Sequence, residues 1–419
     1  MIPNNTINSD FEQSNSGPCQ LYLFDIYENN LPDDTRLDLL ETNNIKPETI
    51  RAVTNAILNC VDKKTNEIIT YKPRFGRPGL NLYNALCFVV FMALFDFNTV
   101  RKATQLLNKS DQFKFAMDIP FDTPVSEYSI SKLTKKLYDL LDIEAAFTNY
   151  YMRNKNSDII FCSAIDSTIY QAHEKAPDEK NWKQYVKAQQ QQADETQNTT
   201  KKKRGRPKKG SQAEIEGKIN RANQKRQDIN ALIKALQNDY ESLTENLNGN
   251  SAWTVKTNSK GRKEYFRGYK LHLMTDDYGA VCSFIITGAN VHDSRVSIPL
   301  KLKCPIPYLY SVEDKGYDSD KIREYADMTD HKAIIDCRKT KKLSHMREFE
   351  KELYKNRTSV ERTNSELKSC FLPKDLSFRG KRLKFQMGIA LFLLNMKRLK
   401  ETKRQMLAAK EIYSINKAA

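Results

Sequence analysis

Closely spaced cysteines are missing from this chain. Eight are scattered so that no two lie within four residues of each other, which excludes zinc-finger spacing. Most sit in apolar contexts and read as reduced core residues, so the expected compartment is the cytoplasm. Long apolar runs are missing too. The longest, Ala85 to Phe95, covers 11 residues, about half of what a bilayer-spanning helix needs. No membrane partner is expected. The first residues, Met1 to Asn15, are polar and lack the basic start and apolar stretch of a secretory signal. No internal repeat is visible. An excess of acid is also absent: Lys and Arg outnumber Asp and Glu by 68 to 52, a net charge of +16. A field of that sign attracts polyanions, of which nucleic acid is the commonest, although charge alone does not choose between DNA, RNA and an anionic surface.

What is present divides the 419 residues into several units. Residues 1–45 are rich in Asn and Asp and read as partly disordered, with a local strand or helix near Leu21 to Ile26. Residues 46–153 have helical texture and read as an α-helical N-terminal domain. Ile50, Val53, Ile57 and Val61 recur at three and four, and Leu82 to Leu94 is apolar nearly all round, as in a buried helix. A helix from Lys132 to Leu141 is expected, with Ser129 or Ser131 as its cap.

At Asp158 the texture changes to short apolar runs. Ile159 to Asp166 reads as a buried strand ending in an acid. Tyr269 to Thr275 and Ala280 to Thr287 read as a hairpin turning at Asp276 to Gly279, and Tyr308 to Asp314 as another strand with a terminal acid. Helices are expected from Asp293 to Leu302, from Ser319 to Ala326, and from Met346 to Cys370, with a strand at Lys332 to Asp336. This order predicts an α/β unit with a mixed sheet over 154–174 and 253–370. Residues 175–252 interrupt it. That insertion carries a Gln-rich tract, then the basic run Lys201 to Lys209, then a helical stretch with Ile229, Ile233, Leu236, Tyr240 and Leu243 along one face. Its helices suit either pairing between protomers or a hairpin packed on the same chain. Residues 371–419 read as a C-terminal helical segment.

Three acids stand out by position. Asp166 and Asp314 end strands, and Glu361 lies on the helix after the last strand. Strand ends on one sheet edge, faced by a helix, bring distant carboxylates together, as a site for two divalent cations about 3.5–4 Å apart requires. Carboxylate oxygens suit hard cations such as Mg2+. Any one strand-terminal acid is more often simply solvated or a helix cap.

Tyr354, Arg357, Glu361 and Lys368 are spaced three, four and seven, so on a single helix they share a face. A solvated salt-bridge face has the same spacing. The set resembles the Tyr-x2-Arg-x3-Glu-x6-Lys signature of bacterial insertion-sequence transposases of the acidic-triad (DDE) type. Ala164 to Thr168 resembles the first box of that family and Asp314-Lys-Gly316-Tyr317 the second. Gly288 to Ser294 resembles its Asn-x-His-Asp turn. Phe75-Gly-Arg-Pro78 with the apolar helix after it resembles the N-terminal domain such transposases often carry, which implies that residues 46–153 bind DNA. Phe378-Arg-Gly-Lys with the apolar helix through Asn395 resembles the family's C-terminal segment. The resemblance covers roughly residues 70–174 and 253–400.

It implies an RNase H-like catalytic domain, with Asp166, Asp314 and Glu361 holding two Mg2+ ions (Mn2+ as substitute). The activity implied is DNA cleavage at the element's ends and strand transfer into target DNA, without a covalent protein–DNA link. Arg357 and Lys368 would contact DNA phosphates, and Tyr354 would position the backbone. His292 and Asp293 are weaker candidates, because a His on a turn is more often structural. Partners implied are the terminal repeats and target DNA, with a homodimer or larger assembly holding two ends, on the nucleoid. Separately, Arg204-Gly205-Arg206-Pro207 resembles an AT-hook core, in which an extended Arg-Pro segment enters a narrow minor groove. The bland alternative is a basic linker that neutralises phosphates. Rival readings are a metal nuclease that only cleaves, and an AT-tract-binding protein without enzymatic activity.

Overall fold

In the computed structural model the chain is a mixed α/β protein. The structure describes residues 46–72, 79–95, 97–172, 212–237, 239–257, 261, 263–336, 346–372, 375–376 and 379–418. The expectations for residues 1–45, for Phe75 to Pro78, for Phe378, and for Lys201 to Lys209 with Arg204, Gly205, Arg206 and Pro207 lie outside the described residues.

Seven helices precede the sheet among the described residues, from α1 (Pro47–Leu58) and α2 (Lys63–Thr70) to α7 (Ile143–Asn154). Local chemistry starts them. Pro47 opens α1, where its missing N–H costs nothing. Asn81 and Asn84 cap each other at the start of α3 (Leu82–Leu94). Between α3 and α7 come α4 (Val100–Lys109), α5 (Asp111–Ala116) and α6 (Glu127–Leu140). α6 begins a turn earlier than its apolar pattern predicts. Ser126, rather than Ser129 or Ser131, is its cap, with its hydroxyl accepting from the Ser129 N–H at 3.1 Å. α3 is buried at every position from Asn84 to Leu94, so the other helices pack round it.

The sheet contains β1 (Ile160–Ala172), β2 (Ala252–Thr257), β3 (Lys263–Thr275), β4 (Val281–Gly288), β5 (Tyr308–Glu313), β6 (Lys332–Ile335) and the two-residue β7 (Asp375–Leu376). Its order is β2-β3-β1-β5-β6, with β4 also on β3 and β7 on β1. β1, β5 and β6 run parallel, while β3 is antiparallel to β1, β2 and β4. β2 and β4 share one side of β3 end to end, meeting at Gly268. A Cβ at Gly268 would lie 2.1 Å from the Tyr170 carbonyl oxygen, so only glycine lets β3 approach β1 there.

Helices cover the sheet. α8 (Gln212–Leu236) and α9 (Tyr240–Thr244) precede β2, and α10 (Ser297–Leu302) follows β4. The helix expected over Asp293–Leu302 is a 3₁₀ turn at Asp293–Arg295 followed by α10. α11 (Asp320–Met328) links β5 to β6. Then come α12 (Glu348–Tyr354), α13 (Arg357–Cys370) and the long α14 (Gly380–Ala418). In α8, Leu232 and Ala235 are the buried positions, while Ile229, Ile233 and Leu236 point to solvent. Of the expected apolar face, Tyr240 and Leu243 in α9 pack against the core, whereas the three α8 members do not. Cys60, Cys87, Cys162, Cys282 and Cys304 are free, but Cys370 is disulfide-bonded, against the expectation of reduced thiols.

α14 joins the two halves. From Phe385 to Met396 it is buried at every position, the polar Gln386 and Asn395 included. Asn395 donates to the Val281 carbonyl and accepts the Val281 N–H, each at 2.8 Å, completing the start of β4 as a neighbouring strand would. At Gly388 the helix crosses α7 so closely that a Cβ would lie 2.8 Å from both γ-carbons of Ile143. Ile143 is β-branched and has little room to rotate. Gly388→Ala should therefore destabilise the protein by about 1–3 kcal/mol, despite alanine's better helix propensity. Urea unfolding would measure this, and an unchanged or raised midpoint would contradict the close crossing.

Candidate active site

The parallel register of β1 and β5 places the first two acids. Pairing runs from Ile160 opposite Tyr308 to Ile165 opposite Glu313. Asp166 and Asp314 are the next residue on each strand, so they lie side by side where the parallel ladder stops. Asp166 does not end its strand, as the apolar run suggests. β1 continues to Ala172 because Ser167 to Gln171 remain paired with β3. Asp314 does lie immediately beyond β5, at the start of a 3₁₀ turn closed by the Tyr317 N–H to the Asp314 carbonyl at 2.8 Å.

α13 brings the third acid. Val360, Thr363, Asn364 and Leu367 form its buried face, which packs over β1. Glu361 faces outward on the same helix. Arg357 reaches between the acids, with its Nη1 2.9 Å from Glu361 Oε1 and 3.8 Å from Asp314 Oδ1. Asp166 belongs to the same electrostatic group. Burial first, and the charge of Glu361 among further causes, push its carboxyl up to about 6, while the Ser167 N–H, Asn364 and Arg357 oppose the shift. Asn364 donates to Asp166 Oδ2 at 3.1 Å.

Tyr354 and Lys368 are placed differently from the single-helix reading. The expected helix over Met346–Cys370 is two helices. Between them the N–H groups of Lys355, Asn356, Thr358 and Ser359 each bond three residues back, a 3₁₀-like step that turns each residue further round the axis. Tyr354 thus ends α12, and its ring lies 5.7 Å from the Arg357 guanidinium. Lys368 sits two turns beyond Glu361 with its ammonium 5.2 Å from the centre of the Tyr170 ring.

His292 is exposed and caps the turn that follows it, its Nδ1 accepting from the Ser294 N–H at 3.3 Å. Asp293 is more connected. Its Oδ1 accepts from the Ser167 hydroxyl at 2.8 Å and from Lys270 Nζ at 3.1 Å. His272 Nδ1 lies 3.8 Å from the same oxygen. That imidazole is fully buried, and burial depresses its pKa to about 3, with Asp293 opposing, so it is neutral. Tyr317 is buried beside this group. Burial, then the charges of Asp293 and Asp166, raise its phenol well above the usual range.

Sequence reasoning overlooked Asn364 and Lys270, and it gave no role to Ser167 and Tyr317, which it met only as members of the first and second boxes. Asn364 carried a positional signal, three residues after Glu361 on one helix. It also overlooked the support behind Asp314. Glu313 is fully buried, with Lys301 Nζ 2.6 Å from Oε1 in a close ion pair without a well-aligned hydrogen bond. The Ser297 hydroxyl donates to Oε2 at 2.7 Å and Ser311 to Oε1 at 3.3 Å.

All three acids offer hard oxygen donors, and a cationic group already lies against two of them. The donor set therefore fits divalent cations. Among the described residues, however, no three His, Cys, Asp or Glu side chains are close enough together to hold an ion as they stand. Also among the described residues, no helix is long and apolar enough to cross a membrane.

A family model described as Transposase DDE domain matches residues 162–396, which is 235 of the 419 residues and includes all three acids. No curated protein and no solved structure matches the chain.

The buried ion pair gives a test of what holds the edge. Lys301→Met should cost about 3–5 kcal/mol, because it strands a buried carboxylate. Adding Glu313→Leu should recover most of that loss in thermal or urea unfolding. A double variant no better than the single one would show that the pair is not what anchors the end of β5.

Proposed function

The chain belongs to the transposase DDE domain family, and we propose that it cuts DNA at the ends of an insertion sequence and joins those ends to target DNA. The observation that carries this reading is the meeting of Asp314 and Glu361 on the Arg357 guanidinium at the edge where the parallel strands stop, with Asp166 next to Asp314 and within the field of Glu361. DDE transposases generally use divalent metal ions, and we assign two, Mg2+ or Mn2+, to these three carboxylates. When bound, such ions supply Lewis acidity to the attacking and leaving oxygens of an in-line phosphoryl transfer.

The chain's own residues do the rest. Asn364 fixes the orientation of Asp166 through its amide. The Lys301–Glu313 pair and the 3₁₀ turn hold Asp314. Arg357 offsets the repulsion among the acids in the free protein and turns to a DNA phosphate as the site fills. Tyr354 stacks beside it and sets the height at which the backbone lies. Lys368, further along α13, contacts a phosphate away from the cut. The net reaction adds water across one phosphodiester bond, leaving a 3′-hydroxyl and a 5′-phosphate. That hydroxyl then displaces a 3′-oxygen in target DNA, with one bond formed and one broken. The partners are double-stranded DNA at the terminal repeats and at the target, in a dimeric or larger assembly. Arg204, Gly205, Arg206 and Pro207 add a minor-groove contact, and the reaction takes place on the nucleoid in the cytoplasm.

Cleavage and strand transfer on a duplex carrying the element's ends, with Mg2+, test this directly. Asp314→Ala and Glu361→Ala should bind DNA as the wild type does and lose at least ~10³-fold in both steps, a loss of about 4 kcal/mol. Variants that still cut would remove these acids from the chemistry. Arg357 gives a separate test. With the competing cation removed, Arg357→Ala should bind Mn2+ more tightly than wild type in the absence of DNA, measured by titration calorimetry. It should nevertheless transfer strands at least ~10²-fold more slowly. Unchanged or weaker Mn2+ binding would mean that Arg357 is not the occupant the ions displace.

A further inference from the structure

The proposed chemistry does not use α8. This helix has 25 residues, Gln212–Leu236. Its C-terminal end rests on α10 and α11 through Leu232 and Ala235. From Lys218 to Gln227 every position is exposed. A solvated helix of that length is marginal by itself. It nevertheless carries a straight apolar stripe. Ile215, Ile219, Ile229, Ile233 and Leu236 are each about half exposed. Their spacing alternates four and three, with Ala222 and Arg226 at the two intervening positions. This is the spacing of a coiled-coil seam, and the exposed residues on it do not pack on the chain's own core.

The pattern also selects a partner. In a parallel pair, Arg226 would face its own copy within the seam. In an antiparallel pair centred on residue 224, Ile219 meets the partner's Ile229 and Ile233 meets the partner's Ile215. Arg226 then lies across from the partner's Ala222, the smallest side chain of the stripe, and its aliphatic stem has room to cross it while the head reaches water. The outer layers pair isoleucine with isoleucine and the two central ones pair a long side chain with a small one, over about 27 Å of helix from Ile215 to Ile233. We propose that this face of α8 is an interface between two copies of the chain, formed as an antiparallel helix pair. The pairing is independent of DNA and of the acidic site.

Sedimentation velocity on the full chain, without DNA or metal, tests this. The wild type should be a dimer at micromolar concentration. Ile219→Glu combined with Ile229→Glu should weaken association at least ten-fold. Ile219→Ala with Ile229→Ala, which favours the lone helix, should weaken it too, so the loss is not one of folding. Ala222→Glu should keep or tighten the dimer, because the new carboxylate faces the partner's Arg226; in a parallel pair it would face itself. A monomeric wild type overturns the proposal, including the case where the stripe is covered by another segment of the same chain. So does a double variant of unchanged mass, or an Ala222→Glu variant that dissociates as fully as the double glutamate. None of these outcomes bears on the role of Asp166, Asp314 and Glu361.

Discussion

Carboxylates gathered on one sheet edge repel each other, and the arrangement around Asp166, Asp314 and Glu361 answers that repulsion. The raised pKa of Asp166 records part of it: burial disfavours its charge, and Glu361 adds to the penalty. Arg357 offsets the rest from a position between two of the acids. In the proposed reaction this guanidinium would give way to incoming divalent cations, which would take over the same neutralising role. The surrounding elements are correspondingly stiff, with a buried ion pair behind Asp314 and an amide clamp on Asp166.

That stiffness comes from register. One parallel ladder ends at Ile165 and Glu313, so a slip of one strand by one residue would put the two acids on opposite faces. Gly268 allows β3 to lie close enough to β1 to hold this register from the other side. Asn395 anchors β4, the next strand out, from a helix more than a hundred residues away in sequence. The acids are therefore placed by long-range packing rather than by the loops that carry them.

Much of this was legible in the sequence. The apolar runs before Asp314 and through Tyr269–Thr287 named their strands, and the spacing of Arg357 and Glu361 matched one helix face. Other features were hidden for physical reasons. Ser167-Thr-Ile-Tyr-Gln171 mixes polar and apolar residues without a clean alternation, so the end of β1 depends on a partner, β3, that local pattern does not reveal. The step at Lys355–Asn356 contains neither Gly nor Pro, and nothing local announces that Tyr354 ends a separate helix. In α8, two apolar sets lie side by side, and periodicity alone cannot say which one meets the core. Leu232 and Ala235 do; Ile229 and Ile233 do not. Asp293, read as a turn residue, is instead bonded to the residue beside Asp166, a contact between segments far apart in the chain.

The burial of α3 has a further consequence for biosynthesis. Leu82–Leu94 is apolar nearly throughout, and part of its cover is α14, whose buried stretch lies about 300 residues later in the chain. At roughly 5–20 residues per second, a ribosome needs about 15–60 s to deliver that cover. During that interval a nascent chain carries an incompletely sheltered apolar helix. Until α14 emerges, the neighbouring helices are the only cover of α3 among the described residues, and only a chain translated past Leu399 can complete both its core and its β4 edge.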